Sequence, residues 1–259
     1  MVPPGGASEI VCAHCIGAIG HWLLGYPQKA LTINSQALAL AERIAHPFSL
    51  GLALQFNGML SLDCGESELA LQQLGAAETL ASEQRLGFAW PPGFLRGAAL
   101  SAQGEIKESI ACLNAGLASQ IGVRNFRPYG LACLAAATGL AGEHEASLAV
   151  ARDGLKVQIE TGYGWWGAEL HRLEGIALLA LNRLDEGQRA LHAALRVAQR
   201  QQAKAYELRA ATCLARLWGE QSKCNEAREL LAPVYGWFNE GFDTRDLKEA
   251  KVLLDELAG

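Results

Sequence analysis

The stretch Leu24-Gly25-Tyr26-Pro27-Gln28-Lys29-Ala30-Leu31 joins two apolar, helix-period segments through a glycine, a proline and a small residue. The same arrangement returns along the chain. Ahead of each joint a small residue recurs, at Ala18, Gly58, Gly97, Ala135, Gly175 and Ala215, with spacings of 40, 39, 38, 40 and 40 residues. A second series, Ala30, Ala70, Ser109, Ser147, Ala190 and Ala227, follows each joint. The gap within a pair is 12 residues in five units and 15 in the fifth, which reads as a three-residue insertion around Asn182-Arg183-Leu184. Between the two stands a turn residue: Gly25, Gly65, Gly104, Gly142, Asp185 and Ser222.

Packing explains these residue types. A side chain no larger than a methyl lets two antiparallel helices approach until their ridges interlock. A glycine just past a helix end takes the left-handed conformation that closes the turn. One hairpin cannot bury its own apolar face, so hairpins stack. We therefore expect an all-α, right-handed solenoid of six hairpins, over about residues 7–45, 47–86, 88–122, 124–161, 163–201 and 203–237. Pro47 and Pro128 suit first-turn positions, where a missing N–H costs little. A capping helix with a charged outer face follows over 244–257, after Asp243-Thr244, and Tyr235, Trp237 and Phe238 belong to that cap. Residues 1–6 read as a disordered tail ahead of a single repeat domain over 7–259. A leucine at Gly97 or Gly175 is expected to force its hairpin apart.

Composition agrees. Half of the residues are hydrophobic and 19% are charged, as in a folded globular chain. The net charge of −5 supplies no basic stripe, which excludes nucleic acid as an expected partner. Residues 1–125 carry 6 Lys/Arg and 9 Asp/Glu, against 16 and 18 in residues 126–259. So few charges in the N-terminal half lead us to expect that another domain covers it. No basic, apolar leader opens the chain and no apolar run is long enough to span a bilayer, so we expect no membrane association. Seven cysteines, an odd number scattered through helical segments, fit free thiols in the cytoplasm. The repeat begins abruptly near Met1, so we expect either a fragment of a longer chain or a gene that has lost its front.

The register and the Leu24–Leu31 stretch resemble the tetratricopeptide repeat, with a period near 40 instead of 34 and without its usual aromatics and closing prolines. Three stretches resemble more specifically the C-terminal repeats of bacterial multidomain regulators, in which a nucleotide cyclase and an ATPase module come first. They are Trp22–Pro27; Ala168-Glu169-Leu170-His171-Arg172-Leu173-Glu174-Gly175; and Leu208-Arg209-Ala210-Ala211 continuing to Leu230–Phe238, with Glu240–Thr244 and Asp246-Leu247 in the same terminal pattern. The resemblance implies a non-catalytic scaffold or protein-binding module of a bacterial signalling system. Its alternative is a regulatory sensor region governing a cyclase or ATPase domain elsewhere in a larger parent. Neither activity carries over, because the residues that perform them lie outside this sequence.

Motifs for other chemistry are missing from the sequence. It contains no Gly-x-x-x-x-Gly-Lys-Ser/Thr and no Gly-x-Ser-x-Gly, so neither an enzyme nor a cofactor site is expected. Cys12-Ala13-His14-Cys15 lacks the second ligand pair that zinc requires, and its cysteines suit packing. Glu169-x-His171-x-x-Glu174 resembles half of a two-helix carboxylate metal site but occurs once, so we expect its residues to pack or pair. Of the adjacent Trp165 and Trp166, helical geometry exposes one.

A binding surface would be the concave wall lined by the first helix of each hairpin. The register projects Gln55, Phe94, Tyr129, Glu169, Arg172, Arg209 and Arg216 onto it. The three arginines suit a carboxylate or an acidic peptide, because a guanidinium grips such groups by two points; alternatively they pair with neighbouring glutamates. The expected partners are thus a protein, a peptide or other domains of a parent chain. On this reading, alanine at Arg172 or Arg209 leaves folding intact.

Overall fold

Wherever apolar residues recur at helical spacing, the chain is helical. The computed structural model describes residues 8–86, 92–118 and 126–258; among them lie thirteen α-helices and no strand. The chain opens with α1 (Glu9–Leu23) and α2 (Pro27–Arg43), after which helices pack in pairs, α3 (Pro47–Cys64) with α4 (Ser67–Gln84), and α5 (Pro92–Ala102) with α6 (Ile106–Ala118). The later pairs are α7 (Arg127–Leu140) with α8 (His144–Thr161), α9 (Gly167–Ala180) with α10 (Leu184–Gln201), and α11 (Lys204–Glu220) with α12 (Cys224–Tyr235). A last helix, α13, spans Arg245–Glu256. The proposed tail, 1–6, lies outside the described residues.

One bond recurs at all six joints. The backbone N–H of Tyr26, Glu66, Glu105, Glu143, Arg183 and Lys223 donates to the carbonyl five residues earlier, at 2.8–3.0 Å. This ring forms only if the residue before the donor is left-handed. Those residues are Gly25, Gly65, Gly104, Gly142, Asn182 and Ser222, all at positive φ. The same bond therefore corrects the fifth unit. Its turn residue is Asn182 (φ 59), and Asp185 sits in the first turn of α10. No insertion exists: Gly187, 12 residues after Gly175, holds the crossing that the sequence reading gave to Ala190. A Cβ on Gly187 would lie 3.1 Å from the Gly175 carbonyl oxygen, and one on Gly175 equally close to that of Gly187. Asparagine tolerates the left-handed region better than most residues, so the joint closes without a glycine.

The small residues at the crossings are buried, as their size requires. Added Cβ atoms at Gly58 and Gly97 would come within 2.8 Å of Leu74 and 2.6 Å of Leu113. Serine serves at two crossings for a second reason: the Ser109 and Ser147 hydroxyls donate to the Gly97 and Ala135 carbonyls at 2.7 Å, clasping one helix to the other. Gly75 in α4 has no such duty, since nothing lies within 4 Å of its Cβ position. Gly75→Ala is thus expected to stabilise the chain by about 0.5–1 kcal/mol through helix propensity alone, measured as a rise in the urea midpoint.

Contacts gather into two compact units. Among the described residues the first holds 8–22 and 26–126, and the second holds 23–25 and 127–258. Leu60, Phe94, Leu95 and Leu113 anchor the first. In the second, Leu208, Leu214 and Leu231 share one core with Leu247, Ala250 and Leu253 of α13. The last helix thereby covers an apolar face that the sixth hairpin would otherwise leave open.

Candidate functional site

Three helices of the second unit surround a cleft of about 240 Å³. Glu169, Arg172 and Ile176 come from α9; Arg209, Thr212, Cys213 and Arg216 from α11; Arg245, Asp246 and Glu249 from α13. Repeat geometry gathers them: Glu169, Arg209 and Glu249 are successively 40 residues apart, as are Arg172 with Thr212 and Ile176 with Arg216. One place on the repeat is thus presented three times, with α13 standing where a next first helix would be.

The charges interlock. Arg172 grips Glu169 by two points, Nε at 2.8 Å and Nη2 at 2.5 Å, and its Nη1 reaches the Cys213 sulfur at 3.7 Å. Arg209 donates from Nε to Asp246 at 2.5 Å and lies 4.0 Å from Glu169. Arg245 is 3.7 Å from Asp246 and 3.9 Å from Glu249. The side chains of Glu169, Arg172 and Arg209 are 13, 18 and 12% exposed, so this network is largely withdrawn from water. Arg216 is different: it is exposed, and among the described residues no carboxylate pairs with it. With four guanidinium groups against three carboxylates, the lining carries one positive charge in excess.

Burial by itself would raise the Glu169 carboxyl. The Arg172 guanidinium, by charge and hydrogen bond, and Arg209 and Arg245 beyond it, outweigh that and hold it at about 2 against an ordinary 4.5. A carboxyl depressed in the folded state stabilises above its unfolded pKa, and the stabilisation is lost as pH falls towards the folded value. The pair's contribution should therefore be full above pH 4.5 and drain away down to about pH 2. Glu169→Gln should accordingly lower the urea midpoint at pH 7 and approach wild type near pH 2. A constant difference between the two proteins across that range would contradict the assignment.

Four of the seven residues projected from the repeat, Glu169, Arg172, Arg209 and Arg216, meet at this cleft. The other three are buried: Gln55 and Phe94 in the first unit, and Tyr129 against Trp166 at 5.5 Å between ring centroids. They present no surface, because the register marks a helix face without saying how deep a side chain sits on it. Arg172 and Arg209 prove to be paired, which also removes the expectation that alanine there is harmless. The sequence reading missed Arg245, Asp246 and Glu249; carrying the 40-residue register once more past Arg209 would have landed on Glu249.

The remaining motifs resolve as packing and pairing. The Glu-x-His-x-x-Glu stretch divides between two faces. Glu169 looks into the cleft, whereas Glu174 accepts from Arg152 of α8 at 2.9 Å and sits 3.4 Å from His171. Trp166 is 4% and Trp165 41% exposed, so one of the two is exposed, but both stand in the turn ahead of α9 and helical geometry is not the reason. Cys15 is buried in α1, and burial pushes its thiol up to about 12, with Cys12 adding to the rise. Among the described residues no helix is long and apolar enough to cross a membrane.

No family model matches the chain. An uncharacterized protein of Rhizobium meliloti (strain 1021) is 26% identical over 217 residues, which cover 80% of this chain and 20% of that protein. The chain therefore spans about a fifth of the length of that relative. Among solved structures, a Rap protein complexed with competence and sporulation factor is similar, with a TM-score of 0.67 and 10% identity over 96% of this chain and 73% of that one. NprR in complex with its cognate peptide NprX gives 0.60 and 13%, over 96% and 71%. These likenesses establish the fold, an all-α array of tetratricopeptide-like hairpins.

Proposed function

We propose that the chain is a peptide- or protein-binding module of a bacterial signalling system, capturing an acidic segment of its partner at the cleft between α9, α11 and α13. The carrying observation is Arg216, an exposed guanidinium with no carboxylate of its own, at the mouth of a cleft that is one positive charge in excess. A guanidinium so placed can grip a carboxylate by two points. Ile176, exposed and one repeat away from Arg216, offers an apolar wall for a neighbouring side chain. Two similar folds were determined as complexes, one with competence and sporulation factor and one with a cognate peptide, which supports a peptide in this role. The module works in the cytoplasm by binding, without catalysis of its own.

Fluorescence anisotropy with a labelled pool of short peptides rich in Asp and Leu tests this. Wild type should bind the pool, and bind it far less when its carboxylates are converted to amides. Arg216→Ala should weaken binding at least tenfold, about 1.4 kcal/mol, while melting like wild type. Equal binding by wild type and Arg216→Ala would remove the cleft from the reading.

A second reading has its own support. The chain is similar to a fifth of a much longer protein, and its C-terminal stretches resemble the repeats of cyclase–ATPase regulators. In that setting the cleft receives a segment of the parent chain, and occupancy shifts the state of the nucleotide-handling domain. Identical nucleotide turnover by such a parent with and without the Arg216→Ala change would discount it.

A further inference from the structure

The cleft already holds a carboxylate on one of its arginines. Asp246 is the second residue of α13, and its Oδ2 accepts from Arg209 Nε at 2.5 Å. The other two acids are placed differently. Glu169 is locked in the two-point grip of Arg172, and Glu249 is half exposed and 3.9 Å from Arg245 alone. Asp246 is thus the acid on Arg209 that a side-chain rotation could remove. Its position favours such a movement. Thr244 stands at the N-cap of α13 but makes no capping bond to the helix; its hydroxyl donates back to the Gly241 carbonyl at 2.7 Å. The first turn of α13 therefore keeps backbone N–H groups that no cap side chain satisfies, and an uncapped turn frays readily.

Deeper along the helix the balance reverses. Leu247, Ala250, Leu253 and Leu257 are buried against Leu208, Leu214 and Leu231. Burial of that much apolar surface outweighs a single ion pair, so losing the Asp246 contact does not detach α13.

We propose that Asp246 is an internal occupant of the acidic-ligand site: an incoming carboxylate takes its place on Arg209, and only the first turn of α13 loosens in response. This rests on the acidic-ligand reading above and adds its regulation, since the affinity of the cleft is set by how firmly the chain's own aspartate holds Arg209.

The test uses the full chain and a labelled peptide copying residues 241–249, which offers the same aspartate in trans. Asp246→Asn keeps the side-chain shape and removes the competitor, so the peptide should bind that variant about tenfold more tightly than wild type, the step expected for one charge-assisted hydrogen bond. The same peptide carrying asparagine at 246 should lose that gain. Glu249→Gln makes an equal charge change and should leave affinity near wild type. Equal gains from both variants would mean that only net charge matters and would overturn the proposal. An unchanged Asp246→Asn would overturn it too, while the acidic reading survived if the Asp- and Leu-rich pool still bound wild type in an Arg216-dependent way. If neither the pool nor the peptide bound any of the proteins, both readings would fall. Hydrogen exchange on wild type gives a measure independent of the variants: saturation with the pool should speed exchange at 248 and 249, whose amides make the first helix bonds of α13, and leave 250–257 unaltered, and no change at 248 and 249 would count against displacement.

Discussion

Gly175→Leu is expected to destabilise the second unit by about 3 kcal/mol or more, lowering its melting temperature by roughly ten degrees. The reason lies in two glycines facing each other. A Cβ at Gly175 would lie 2.8 Å from Leu191 and 3.1 Å from the Gly187 carbonyl oxygen; a Cβ at Gly187 would lie 2.6 Å from Leu179 and 3.1 Å from the Gly175 carbonyl oxygen. A leucine side chain can turn aside, but a backbone carbonyl cannot move without its helix. The whole of α9 would have to lift from α10. Gly175→Ala should cost less, because a methyl needs only a few tenths of an ångström. Differential scanning calorimetry of the two variants beside wild type checks the order, and a Gly175→Leu protein that melts with wild type would show that the crossing lies elsewhere.

Arg172→Ala should be nearly as damaging, at about 3 kcal/mol or more, although it removes no apolar core. The arginine itself is dispensable; what the change leaves behind is not. Glu169 would keep its charge in a place 13% exposed, with Arg209 at 4.0 Å as its remaining neighbour. A buried carboxylate stripped of its partner is costlier than the pair was worth. Replacing both residues with apolar ones of similar size, Glu169→Leu with Arg172→Met, should therefore recover much of the loss. Urea denaturation at pH 7 decides. A single variant with the wild-type midpoint would mean that water reaches Glu169 freely, and a double variant worse than the single would mean that the pair stabilises in its own right.

The hairpins were legible because close helix packing leaves a mark in residue size. Ala18, Gly58, Gly97, Ala135, Gly175 and Ala215 could be found by spacing alone, and all prove buried. The fifth joint does not stand out in the sequence because its left-handed position is filled by Asn182 where four of the other five joints carry glycine. At the site, helical register placed Glu169, Arg172, Arg209 and Arg216 on one wall, since direction follows from periodicity. Depth does not: Gln55 and Phe94 share that direction yet lie inside the first unit. Partnership was hidden as well. The hold of Asp246 on Arg209 depends on how a connecting segment returns α13 to α11, and no local pattern in 236–244 announces that path.

The twelve-residue crossing has a consequence in time. Each glycine, alanine or serine that meets its counterpart does so across a short, tightly turned loop, so closing a hairpin sacrifices little chain entropy. Contacts made close along the chain are also those that form fastest. Within either unit, folding can start at any hairpin and spread to its neighbours. During synthesis, a new hairpin becomes available each time about 40 residues emerge, and no apolar face has long to wait for the helix that will cover it.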